Sequence, residues 1–236
     1  MAFVPSYKSR LFVGPLAWSV FTRGKTLSLD TQMLPVTTIN DQDDTFIPGP
    51  NSGTVSLDML LDASSAAGGQ FATLNTWKST PQVVTLCFEG ADRGNPTWNI
   101  YADQSNFTQS SAVADVVTAS GSYMTDGNVG YGVVIDPLTA ITVDTNGTSV
   151  DNGAATSGGG IAHLHVTAFS GLTSDSVIVE HSTDNIAWST LGTFASVTGT
   201  TSERLTVAGT VNRYLRVRDD VTGTGSVTRF VSFSRS

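Results

Sequence analysis

Short apolar runs bounded by turn residues, some of them alternating with polar positions, recur along this chain and predict β-strands. In the front part the pattern runs through "KTLSLDTQ" (25–32), "TVSLDMLLD" (54–62), "QVVTLCFEG" (82–90) and "TWNIYAD" (97–103). It continues in "SAVADVVTAS" (111–120), "NVGYGVVID" (128–136) and "AITVDT" (140–145). One stretch reads differently. In "GQFATLNTWK" (69–78), Phe71, Leu74 and Trp77 recur every three residues, which predicts a short helix that Pro81 blocks. "INDQDDTFIPGPNSG" (39–53) is polar and contains two prolines, so it is expected to be a long loop.

"NGTSVDNGAATSGGG" (146–160) has Val150 as its only large apolar residue and ends in three glycines, the composition of a flexible linker. Beyond it, strands are predicted at 162–170, 176–182, 188–194, 203–209, 212–220 and 225–234. Their spacing of roughly ten residues, with short Gly, Asp and Thr turns, predicts a small β-sandwich. In "NRYLRVR", Leu215 and Val217 fall on one face while Tyr214, Arg216 and Arg218 fall on the other. "VEHSTDNIAWSTLGTF" (179–194) reads as a hairpin turning at Ser182–Asn185, with Trp188 expected to fill the core. The expected organisation is mainly β: a sandwich or partial barrel with one short helix over 1–150, a Gly-rich linker over 151–160, and a second sandwich over 161–236.

Composition narrows the function. Charged residues are 14% of the chain, well below an average globular protein, yet hydrophobic residues reach 39%, enough for a folded core. The net charge is −8, which argues against an ordinary nucleic-acid binder, because that needs a basic footprint. Residues 1–150 hold thirteen acids and six bases, and 151–236 hold seven and six, so the front part carries most of the negative charge. Cys87 is alone, which excludes an intrachain disulfide, and its apolar surroundings predict a buried, inert thiol. Lys8 and Arg10 precede an apolar stretch, but Gly14 and Pro15 interrupt it and no small-x-small site follows, so a cleaved signal is not expected. No segment has the apolar length of a membrane-spanning helix.

Candidate chemistry is sparse. With only His163, His165 and His181, no nucleophile–histidine set can be argued, and His163 and His165 are expected on a solvated strand face opposite Leu164 and Val166. Asp41, Asp43 and Asp44 cluster without the glycine and closing glutamate of an EF-hand loop. Asp144, Asn146 and Asp151 sit where Asx residues form turns, so neither metal nor cofactor is expected. The sequons at Asn106 and Asn146 are read as chance, and no carboxylate stands out as half of a glycosidase pair. Trp188, Arg213 and Tyr214 could form a sugar contact, with an aromatic face for a pyranose ring and guanidinium forks for its hydroxyls.

Two resemblances add to this reading. "IVEHSTDNIAWSTLGTF", "RYLRVRDD" and "VTRFVSFSR" make the C-terminal part resemble galactose-binding-like and related carbohydrate-binding sandwiches, or a small immunoglobulin-like one. "DDTFIPGPNSGTVSLDMLLDA" (43–63) and "SAVADVVTASGSYMTDGNVGYGVVIDP" (111–137) make the front part resemble the major tail protein of long-tailed bacteriophages. That resemblance implies a non-enzymatic virion subunit, made in the host cytoplasm. Its six-membered rings would stack into a tube contacting other tail proteins and passing DNA without specific binding or any membrane. It leaves host-surface glycans as partners of a C-terminal decoration domain. Asp41, Asp43, Asp44 and Asp58 are the candidates for assembly contacts or for the tube lumen. A secreted or surface carbohydrate-binding protein using Trp188, Arg213 and Tyr214 is the alternative.

Overall fold

A computed structural model describes residues 4–40, 42–60, 77, 80–112 and 115–236. In chain order the strands are β1 (Arg10–Val13), β2 (Leu16–Ala17), β3 (Thr22–Pro35), β4 (Phe46–Leu60), β5 (Gln82–Cys87), β6 (Pro96–Ser110) and β7 (Thr118–Thr125). They continue with β8 (Gly130–Ile141), β9 (Thr145–Asn146), β10 (Val150–Asp151), β11 (Gly160–Ser182), β12 (Ser189–Thr193), β13 (Thr201–Val207) and β14 (Tyr214–Arg235). The fold is mainly β. Helical structure among the described residues consists of 3-10 turns at Ser6–Lys8 and Trp18–Val20 and the 3-10 residue Trp77. The helix predicted at 69–78 lies, apart from the buried Trp77, outside the described residues.

The chain forms two compact units, and both draw on separate stretches of sequence. The first combines residues 1–20, 82–101 and 128–236; the second combines 21–81 and 102–127. This partition does not follow the expected break at 151–160. The stretch expected to be a linker is pinned inside the first unit. β9 and β10 pair with β14, Gly147 N–H donates to the Val217 carbonyl at 2.8 Å, and Thr156 bridges Val211. Its glycines permit tight turns and close approach, so composition alone misled the reading.

The first unit is organised by one antiparallel ribbon, β11 against β14, paired from Gly160↔Arg235 to Ser182↔Tyr214. The ribbon folds back on itself. Arg229 and Asp219 are ten residues apart in β14, about 33 Å if the strand were straight, yet their side chains form an ion pair. Register shifts between Val166 and Ser174 and the positive φ of Gly171 (77°) and Gly223 (101°) mark the bend. Its two halves then face each other across one core, where Leu164, Val166 and Val231 meet Val177, Val179 and Val217. On one side of the bend the ribbon pairs with β13 and β8, the latter continuing to β6, β5, β1 and β2; on the other it pairs with β12, β9 and β10.

The second unit is a four-stranded antiparallel sheet in the order β3-β4-β7-β6, using the part of β6 from Ala102 onward. β4 meets β7 only over Thr54–Leu60, whereas it pairs with β3 as far as Phe46↔Pro35. The segment expected to be a long loop at 39–53 is therefore largely strand. The prolines are tolerated because Pro48 and Pro50 lie where β4 has β3 as its only partner.

Candidate functional site

The second unit separates its two faces sharply. Across the sheet, cross-strand rows on one face read Gly24–Asp58–Ser120–Thr108, Thr26–Ser56–Ser122–Asn106 and Ser28–Thr54–Met124–Asp103. Apart from Met124, every side chain in these rows is a short polar group or hydrogen, and none is Lys or Arg. The opposite face reads Lys25–Leu57–Gly121–Phe107 and Leu27–Val55–Tyr123–Gln104, with Val55, Leu57, Gly121 and Tyr123 buried. The unit carries three basic and nine acidic side chains, a net −6 of the chain's −8. Sequence reading singled out Asp58 but missed Asp103 and the hydroxyl rows. Their signal was Ser or Thr at alternate positions in 26–28, 54–56 and 118–122, with Asn106 and Thr108 alternating likewise.

Both outer strands of this sheet have a free side among the described pairings: β3 pairs only with β4, and β6 beyond Ala102 only with β7. Rows of main-chain N–H and C=O groups on such edges are templates for another strand. Beyond Gly53 the β3–β4 pair runs on as a two-stranded arm, roughly 25 Å long at the usual rise per residue. Val36 N–H donates to the Thr45 carbonyl at 2.8 Å near its tip, and Thr45 N–H donates to Thr37 Oγ1 at 2.9 Å. The arm exposes Leu29, Met33, Leu34, Val36, Phe46 and Ile47, and Ile39 is fully exposed at the tip. A lone two-stranded ribbon is marginal in water, and apolar groups clustered on it mark a contact surface.

Asp43 and Asp44 are exposed at this tip, whereas Asp58 is exposed twelve residues along β4 from Phe46, about 40 Å of strand away. The structure thus does not bring these carboxylates together as one site. Asp41 lies outside the described residues.

In the first unit the sugar-contact candidates are already engaged. Trp188 is half-buried and not a core residue; the Arg216 guanidinium sits 4.3 Å from its ring centroid. Arg216 also donates to Glu180, and Arg218 pairs with both Glu180 and Asp220. Arg213 makes a two-pronged contact with Asp151, 2.7 Å on each arm, and lies 5.0 Å from the Tyr214 ring centroid. The Arg213 hydrogen bond holds the Asp151 carboxyl down to about 2. The turn before Trp188 forms as its sequence predicts: Asp184 accepts from Ile186 and Ala187 N–H at 2.9 Å each, and Asn185 takes φ 62°.

His163 and His165 are not on a solvated face. Both are 0% exposed, because this half of β11 has packed layers on either side. Thr85 Oγ1 lies 3.1 Å from His163 Nδ1 and 2.8 Å from His165 Nε2, and His165 Nδ1 lies 2.7 Å from the Gly14 carbonyl. Burial lowers the His165 pKa to about 4 and that of His163 well below its usual value. Asp144 accepts the Val221 N–H and Asp151 holds Arg213, so both carboxylates are engaged in structural contacts. Among the described residues, no group of three or more His, Cys, Asp or Glu could hold a metal ion. No described helix is long and apolar enough to cross a membrane.

No protein-family model matches the sequence, and no curated protein does. Among solved structures, the chain is similar to a protein in the virion of a native gene transfer agent particle (10% identity, TM-score 0.41, covering 51% of this chain and 94% of that one). It is also similar to a protein of the tail of an empty gene transfer agent particle with C6 symmetry (10% identity, TM-score 0.39, 47% and 81%). A third similarity is to the Dit protein of SPP1, described as a hub adsorption apparatus of phages infecting Gram-positive hosts (11% identity, TM-score 0.34, 96% and 99%). All three scores fall below 0.5, and the fold stands on the strand pairings themselves.

Proposed function

We propose that this chain is a structural subunit of a phage tail that assembles with copies of itself into a tube. The observation that carries the reading is the second unit: a sheet whose two outer strands lack a further strand partner among the described residues, one polar cation-poor face and a projecting arm with exposed apolar groups. Pairing the β3 edge of one copy with the β6 edge of the next would satisfy both rows of backbone groups and close a ring. Repeating that contact around a rotation axis is the head-to-tail geometry that gives rings, and stacking those rings gives a hollow rod. Six copies is the ring size that the tail-tube resemblance implies.

In such a ring the hydroxyl face, with Asp58 and Asp103, lines the bore. Short polar side chains present a wetted wall, and net negative charge repels phosphate, so DNA slides through without being held. The arm, with Ile39 and Phe46 beside Asp43 and Asp44, buries its apolar groups against a neighbouring copy. The protein resides in the virion tail and has no catalytic role in this account. Size-exclusion chromatography with light scattering tests it: the concentrated chain forms large species, and Ile39→Asp with Phe46→Asp returns it to monomer with unchanged circular dichroism. Wild-type chain that stays monomeric at every concentration, alone and with other tail proteins, contradicts it.

A further inference from the structure

Asp175 stands on β11 just past the bend, opposite Val221, and is 0% exposed. Neither carboxylate oxygen has a hydrogen-bond partner among the described residues. The charged groups that face it are Asp219, Asp220 and Arg229 on β14 and Asp144 in the turn after β8. Arg229 is already committed, with Nε and one terminal nitrogen on Asp219 and the other terminal nitrogen on Asp136, which Arg93 also contacts. An ionised Asp175 would be a third buried carboxylate around one guanidinium that already holds two, and it would have no hydrogen bond of its own. Burial raises its pKa to about 7, with the Asp219 charge acting in the same direction and Arg229 opposing.

The main chain at this position does a specific job. Asp175 N–H donates to the Val197 carbonyl and Val197 N–H to the Asp175 carbonyl, each at 2.9 Å, while Phe194 N–H reaches the Val177 carbonyl at 3.0 Å. These three bonds hold the connection 194–200, which contains no titratable side chain, against the ribbon. Val197 is 1% exposed there.

We propose that Asp175 is a proton-operated latch: protonated, it lets the 194–200 connection stay seated on the bend, and ionised, it drives that connection open. Opening returns the carboxyl to water, where its ordinary pKa is about 3.9, so opening releases a proton. The latch is therefore fully closed near pH 4, and its opening grows by up to about tenfold per pH unit until about pH 7, then levels off. The device is independent of what the chain assembles into.

Amide hydrogen exchange at Val197 in the full chain, corrected for intrinsic rates, measures that opening. Between pH 5 and 7 the opening constant should rise by up to about 100-fold, and in Asp175→Asn it should stay flat. A flat wild-type profile, or an Asn variant that rises in parallel, overturns the proposal. Should that variant fail to fold, the Asp175 carboxyl carbon shift of the wild type decides. A midpoint near neutrality supports the latch, and an ionised group down to pH 4 overturns it. Closure at pH 7 on adding calcium chloride also overturns it, replacing the proton by a bound cation.

Discussion

Arg229 and Asp219 form a two-pronged ion pair in which neither side chain reaches solvent. The pair joins the two halves of one strand across the core, so it fixes the fold-back of β14 as well as neutralising charge. Removing one partner strands the other. Arg229→Met should destabilise the protein by about 3–5 kcal/mol, measured as a lowered urea midpoint. Arg213→Ala, which removes an exposed pair with Asp151, should leave the midpoint unchanged.

The bend has a steric requirement as well. A Cβ on Gly225 would lie 2.0 Å from the Ser170 carbonyl oxygen, a backbone atom that cannot swing away. Gly225→Ala should therefore cost at least about 1–3 kcal/mol. Thermal melts would show it, with Gly199→Ala as the control, since a Cβ there meets nothing within 4 Å.

Acid should weaken the first unit through His163 and His165. Their folded pKa values lie below the unfolded value of about 6.5, so the stability they supply is complete above that pH and falls as pH drops toward the folded values. Each contributes a slope of up to about 1.4 kcal/mol per pH unit in that window. Replacing His163 by Gln should reduce the dependence of unfolding free energy on pH by one proton, read from denaturant titrations between pH 4.5 and 6.5. An unchanged slope would mean that His163 is already charged in the folded protein.

Part of the fold was legible because alternation at period two survives in β7 and in stretches of β4, β6, β8 and β14. Leu215 and Val217 are buried while Tyr214, Arg216 and Arg218 are half-exposed, as their positions in "NRYLRVR" imply. What failed has physical causes. "AHLHV" alternates like a half-solvated strand, but a strand packed on both faces hides polar residues when Thr85 and the Gly14 carbonyl satisfy them. β11 and β14 each read as two strands because Gly171 and Gly223 at the bend resemble turn residues. The division into units is invisible to any reading that cuts the chain once, since 102–127 leave and re-enter the first unit's sequence. Trp188 was expected in a core, but Arg216 takes its ring face at the surface.

The assembly account is tested most directly by cryo-electron microscopy of the concentrated full chain. The account predicts rings or hollow rods with the β3–β4–β7–β6 hydroxyl face, including Asp58 and Asp103, turned toward the bore. Rods or rings with that face turned outward, or a chain whose β3 and β6 edges meet no neighbouring strand in any assembly it forms, would contradict it.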